Sequence, residues 1–318
     1  MRAQQVWPIA RQAIASWVDD DAPGMGAALA YYALFSIAPL VLVAVSIAGL
    51  VFGADAARGQ IFVELRGLMG DAGASAVQGL LQSVSEPRAG ALGTAAGLGV
   101  LLLGAIGVFG ALQSSLDRIW RAPARPRASG LLWLLRSRLM SFGMVLCIGL
   151  LLMVSLLVSA GIAAVGRWWQ PELAAWELIT QAIAFGLDFV FVTFMFAMIY
   201  KLMPRASIRW RDVWIGAAFT SVLFNAGKVL IALYLGKSGL ASGFGAAGSL
   251  VALLVWMYYS AQVFLLGAEF TWVYAYTCGS RQGMVRPSAS ALPERAPSAM
   301  ERSRAALAEA VRKMRGQA

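Results

Sequence analysis

Histidine is absent from the 318 residues, and cysteine occurs only twice, at Cys147 and Cys278. Without imidazole there is no His-ligated zinc and no histidine general base. Two cysteines in or beside apolar runs, without ligand spacing, make neither a disulfide framework nor a thiolate metal site. Charge is scarce too: 13% of residues are charged and 59% hydrophobic, against roughly 25% and 45–50% in soluble domains. The carboxylates are too dispersed for two-metal chemistry, and no glycine-rich phosphate loop is present. No signal peptide is expected, because the first apolar run follows Asp19-Asp20-Asp21 and is too long for an h-region. No catalytic residue, metal site or cofactor is therefore expected.

What the chain has in abundance is apolar length. Ala27 to Phe52 is 26 residues without a charge, more than the ~20 that cross a ~30 Å hydrocarbon core. Further apolar runs at about 90–112, 139–165, 178–203, 213–234 and 246–276 complete six expected spans. The fold class is thus all-α: a polytopic membrane protein with six transmembrane helices and short amphipathic interfacial helices. Residues 1–26 read as a juxtamembrane helix with Val6, Ala10, Ala13, Ile14 and Trp17 on one face, lying on the membrane surface or packed on the bundle ends. Residues 27–280 form the transmembrane domain, and 281–318, rich in Pro, Ser and Arg, a flexible basic cytoplasmic tail. Between the first two spans, residues 54–88 carry interleaved charges and leucines, predicting two short helices divided around Gly70-Asp71-Ala72-Gly73.

Net charge is +10, and its placement explains it. Six spans put twenty of the 26 Lys and Arg on one side and five on the other, with Lys228 inside a span. The positive-inside rule then places both termini in the cytoplasm of a bacterial inner-membrane protein. Basic loops explained by topology need no nucleic acid; they suit anionic lipid headgroups instead.

Three groups of residues invite functional readings. Lys228 sits well inside an apolar run, where an ammonium needs a partner, a cavity or an exit to the interface. Helical rise of ~1.5 Å per residue brings Asp188 of the fourth span to a similar depth, and Asn225 shares the Lys228 face. Asp188, Asn225 and Lys228 are therefore candidates for a substrate- or ion-binding cluster, with a snorkelling lysine as the alternative. Pro39 removes a backbone hydrogen bond from the first span and predicts a kink or break unless Ser36 or a neighbouring helix compensates. With Gly236, Gly239, Gly243 and Gly245 of the connector 235–249, it forms a candidate gating set. Glu269, near the end of the sixth span, is expected to pair structurally with Lys201 or Arg205. Tyr258, Tyr259, Ser260 and Gln262 make a polar patch near mid-span that reads as packing.

One ordered pattern runs through the chain: Ala27–Pro39 (AALAYYALFSIAP), Trp210–Gly216 (WRDVWIG), Tyr234-Leu235-Gly236, Phe244–Leu250 (FGAAGSL), Trp256–Gln262 (WMYYSAQ) and Gly267-Ala268-Glu269-Phe270. It resembles the YihY/BrkB family of bacterial inner-membrane proteins, with Phe244 where that pattern has Tyr. The resemblance implies a transporter or a virulence-associated envelope factor; the six spans, the buried charge, Pro39 and the glycine-rich connector suit a transporter or lipid-handling permease, with a non-transporting scaffold of envelope assembly as the alternative. The family has also carried a ribonuclease label, which a chain without histidine or clustered carboxylates does not support.

Overall fold

The computed structural model describes residues 3–85, 107–122, 174–237 and 248–285. Contacts divide the chain into Met1–Gly283 and Met284–Ala318, and the described helices lie in the first unit. They are α1 (Ala3–Asp19), α2 (Ala22–Phe52), α3 (Ala54–Ser85), α4 (107–119), α5 (Ala174–Leu202), α6 (Trp210–Lys237) and α7 (Gly248–Thr277). The described residues contain no strand. Among the described residues, three stretches are long and apolar enough to cross a membrane: Phe185–Leu202, Trp210–Ile231 and Leu250–Thr277. The runs expected at 90–112 and 139–165 lie largely or wholly outside the described residues, as do Gly239, Gly243 and Gly245.

Helix α7 is the axis of the assembly and packs against α6, α2, α1 and α3. Small residues set its closest approach. A Cβ added at Gly216 of α6 would overlap Thr271 of α7, and one added at Gly267 of α7 would overlap Thr220 of α6. The two glycine–threonine pairs interlock reciprocally, the close backbone approach by which membrane helices associate. Each threonine hydroxyl donates to the carbonyl four residues back in its own helix, Thr220 to Gly216 at 2.8 Å and Thr271 to Gly267 at 2.7 Å, so neither brings an unpaired polar group. Beside them the rings of Phe219 and Phe270 stack at 3.8 Å. The Tyr200 hydroxyl of α5 donates to the Phe264 carbonyl at 2.7 Å and meets Thr220 Oγ1 at 3.1 Å.

One end of the bundle gathers the α1–α2 turn, the ends of α4, α5 and α7, and the start of α6. Gln113 donates to the Met203 carbonyl at 3.5 Å. Asp212 accepts from the Ser280 amide and hydroxyl, and Arg281 donates to the Ser207 carbonyl at 3.0 Å. A second apolar cluster, Ala30, Val41, Val45, Met69, Val77, Leu253 and Met257, joins α2, α3 and the first half of α7. Helix α3 breaks at Gly70, with φ 74° and ψ 178°, where the sequence predicted a division. Glycine alone adopts that dihedral pair readily.

Three expectations need correction. Helix α2 starts at Ala22, ahead of the run at Ala27, and stays α-helical through Pro39 without a break. It lies against α3 and α7 along its length, and neighbouring helices are what sustain a proline-containing membrane helix. Ser36 does not cap the freed carbonyl of Phe35; its hydroxyl donates to Ala33 at 3.1 Å. Gly236 belongs to α6, which continues to Lys237. Helix α1 is rotated relative to its predicted face: Ile9 and Ala13 are buried, while Trp7, Ile14 and Val18 are exposed. It packs on the bundle against α7.

The α6–α7 interlock predicts a steep steric penalty. Gly267→Ile should destabilise the purified protein by about 2 kcal/mol or more through overpacking, read as a lower melting temperature in detergent. Gly186→Ala, in the interior of α5 where an added Cβ meets no described residue within 4 Å, should leave stability unchanged or raise it by up to ~1 kcal/mol, since alanine is the better helix former. Equal melting of the two variants would contradict the interlock.

Candidate functional site

Lys228 and Asp188 meet. The Lys228 ammonium donates to Asp188 Oδ2 at 3.0 Å. Asp188 lies fourteen residues before the end of α5 at Leu202, and Lys228 eighteen residues after the start of α6 at Trp210. At ~1.5 Å per residue the offset is about 6 Å, which a lysine stem covers. The ammonium also stands 5.8 Å from the centre of the Phe224 ring. The pair is not sealed: the side chains keep 18% and 40% of their exposure for Lys228 and Asp188. Asn225 does not join it, since its amide donates at 3.0 Å to the Ser221 carbonyl one turn back. Gly227 lies against α7, where an added Cβ would overlap the Tyr259 hydroxyl.

The second charged site was not anticipated. Glu269 does not pair with Lys201 or Arg205. Lys201 donates to the Ile208 carbonyl and lies 5.5 Å from the Trp210 ring centre; Arg205 pairs with Asp117 at 3.4 Å. Burial pushes the Asp117 carboxyl up from its ordinary range, opposed by its hydrogen bond from the Arg205 amide and by the guanidinium charge. Glu269 itself is fully buried, and its charged neighbours are Asp20, Arg121 and Asp19. Neither of its carboxyl oxygens has a hydrogen-bond partner.

Local structure explains how Arg121 reaches this position. Helix α4 ends with Arg121 N–H bonded to the Arg118 carbonyl and Ala122 N–H bonded to that of Asp117, a Schellman closure. Its left-handed residue, ordinarily glycine, is Arg121 with φ 48°, a conformation costing ~1–2 kcal/mol outside glycine. The arginine turned there forms an ion pair with Asp20 and lies 5.1 Å from the Trp272 ring centre. Asp20 and Arg121 side chains are 1% and 6% exposed. In the sequence, Asp20 reads only as a helix stop and Arg121 as one of many loop arginines. The three residues come from the α1–α2 turn, the end of α4 and α7, so no local pattern joins them.

The family model described as virulence factor BrkB matches residues 13–291. The chain belongs to the BrkB family. It is 30% identical over 255 residues to a UPF0761 membrane protein of Azotobacter vinelandii, covering 79% of this chain and 59% of that protein. A UPF0761 membrane protein of Verminephrobacter eiseniae is 29% identical over 252 residues, covering 76% and 56%. One from Pseudomonas aeruginosa strain LESB58 is 29% identical over 257 residues, covering 79% and 59%. The match thus spans less than two thirds of these relatives' length. No solved structure matches. The chain is a membrane protein of the BrkB family, and both charged sites lie inside the family match.

The Arg121 geometry sets two energies against each other. Arg121→Gly relieves ~1–2 kcal/mol of left-handed strain but strands a buried carboxylate, which costs ~3–5 kcal/mol. The variant should therefore melt lower by about 2 kcal/mol, measured by thermal unfolding in detergent. A variant as stable as the parent would show that the ion pair contributes no more than the ~1–2 kcal/mol of strain it is set against.

Proposed function

We propose that this BrkB-family protein is a six-span protein of the bacterial inner membrane, with both termini cytoplasmic, that moves a small-molecule or lipid substrate through its bundle. The observation that carries this reading is the Asp188–Lys228 pair, two opposite charges within span-length helices that retain exposure. A strut with no further role is better made from apolar residues, because desolvating an ion pair offsets most of its Coulombic gain. An accessible intramembrane pair is the usual mark of a substrate or ion path. Six spans agree with the sense of the helices, since α4 and α5 end at the end of the bundle where α2 and α6 begin. The reading needs no enzyme activity, cofactor or nucleic acid.

A second reading, a non-transporting envelope scaffold, draws support from Arg209, Trp210, Arg211 and Trp214, all exposed at the start of α6. Arginine and tryptophan side by side suit an anionic headgroup layer. The two readings share their topology. Reporter fusions after Ala128 and after Ser290 should report cytoplasm, and a fusion after Gly239 periplasm; a periplasmic signal at Ala128 would overturn six spans.

Function separates them at the pair. Lys228→Met and Asp188→Asn should each lower melting by on the order of 1 kcal/mol, discounted from the ~3–5 kcal/mol of a fully buried pair because Asp188 is part-exposed. The double variant should recover most of that stability. Reconstituted with a fluorescent phospholipid, and separately with osmotically active solutes, the wild type should move one of them and the folded double variant should not. Movement at the wild-type rate in the double variant would make the pair a packing device and favour the scaffold.

A further inference from the structure

Glu269, Asp20 and Arg121 present a charge imbalance that the described side chains do not resolve. Two carboxyls and one guanidinium leave a net charge of −1 if all three ionise, at positions with 0% exposure for the whole of Glu269 and 1% for Asp20. Arg121 is committed to Asp20 by its ion pair, and both Glu269 oxygens are buried without a hydrogen-bond partner. An ionised carboxylate in such a place costs several kcal/mol unless something compensates it. The N-terminus of α2, just after Asp20, supplies about half a positive charge, but no N–H of it reaches Glu269.

Among the described residues the surroundings provide no other compensation. From the α1–α2 turn the charged groups facing Glu269 are Asp20 and Asp19, and from the end of α4 Arg121. From α6, Asp212 is held by Ser280; from α5, Tyr200 donates to the Phe264 carbonyl and meets Thr220. Two carboxyls are too few to encage a metal ion, and among the described residues no group of three or more metal-ligating side chains exists. The adjacent guanidinium would repel a cation further. The smallest positive species remains.

We propose that this cluster is a proton-binding site, in which one exchangeable proton shared by the Glu269 and Asp20 carboxyls, beside Arg121, brings the net charge to zero. Close carboxyls titrate as a unit, so the proton belongs to the pair. Asp19, which also acts on Glu269, is exposed at the end of α1. Two turns back on the same face of α7, Gln262 donates at 3.4 Å to the Pro23 carbonyl and leaves its own buried oxygen unpartnered. Gly26 of α2 makes room for that side chain, since an added Cβ would overlap it. The face of α7 toward the start of α2 thus carries two buried acceptors without donors, a polar line on which a proton has somewhere to sit. The site stands whether or not the protein transports; in a transporter it would bind the coupling ion.

Infrared spectroscopy of the full chain in liposomes tests this. Near neutral pH the wild type should show a protonated-carboxyl C=O band that shifts on 13C-glutamate labelling and disappears in Glu269→Gln. Asp20→Asn supplies a second test that keeps Glu269: with the repelling carboxyl gone, Arg121 is free to pair with an ionised Glu269, and the band should again be lost. Absence of the labelled band in the wild type, or its persistence unchanged in Asp20→Asn, overturns the proposal. If Glu269→Gln fails to fold, the labelled wild type and Asp20→Asn still decide.

Discussion

The constraint on which this structure depends is the cost of an uncompensated charge among apolar helices. With so few charged residues in the chain, most of those described within the bundle are accounted for individually. Asp20 meets Arg121, Asp188 meets Lys228, Asp117 meets Arg205, and Asp212 takes the Ser280 amide and hydroxyl. Three of these lie at one end of the bundle and tie together the α1–α2 turn, α4, the α5–α6 connection and the end of α7. The exception is Glu269, which has Arg121 for a neighbour but accepts no hydrogen bond. Its isolation follows from the competition for a single guanidinium, which Asp20 wins.

Close packing makes these pairings possible. Helices α6 and α7 approach through Gly216, Thr220, Gly267 and Thr271, and Gly227 admits Tyr259 on the same seam. With α6 fixed against α7 in this way, Lys228 is held on the side that faces α5 and Asp188. At the opposite face of α7, the start of α2 carries Gly26 against Gln262, and the α1–α2 turn carries Asp20 beside Glu269. The two charged sites therefore hang on one helix, and a displacement of α7 along its axis would act on both.

Much of this was legible in the sequence, for local reasons. Apolar length is a property of consecutive residues, so α5, α6 and α7 appear where hydropathy places them. The break at Gly70 follows from the dihedrals that glycine allows. The Asp188–Lys228 contact was reachable because helical rise converts residue number into depth, and two opposite charges at similar depth seek each other. Asn225 went astray because a carbonyl one turn back is a nearer acceptor than anything on α5. The partner of Glu269 was out of reach of such reasoning: depth alone suits Lys201 and Arg205 equally well. What decides is lateral, namely that the α1–α2 turn and the end of α4 close over α7 at that level. Arg121 lies 101 residues from Asp20, and its left-handed conformation at a glycine-type position leaves no mark in a sequence pattern. At Pro39 the helix continues, the alternative in which a neighbouring helix compensates, and the packing of α2 on α3 and α7 is equally invisible from the chain itself.

The central claim is that opposite charges within the bundle pair across helices, and an experimental structure in lipid nanodiscs at neutral pH tests it most directly. The account predicts the Arg121 guanidinium against Asp20, with Glu269 beside them and shielded from solvent, and the Lys228 ammonium within hydrogen-bonding distance of Asp188. Density placing Glu269 against Lys201 or Arg205, or Lys228 extended toward the lipid headgroups away from Asp188, would contradict it.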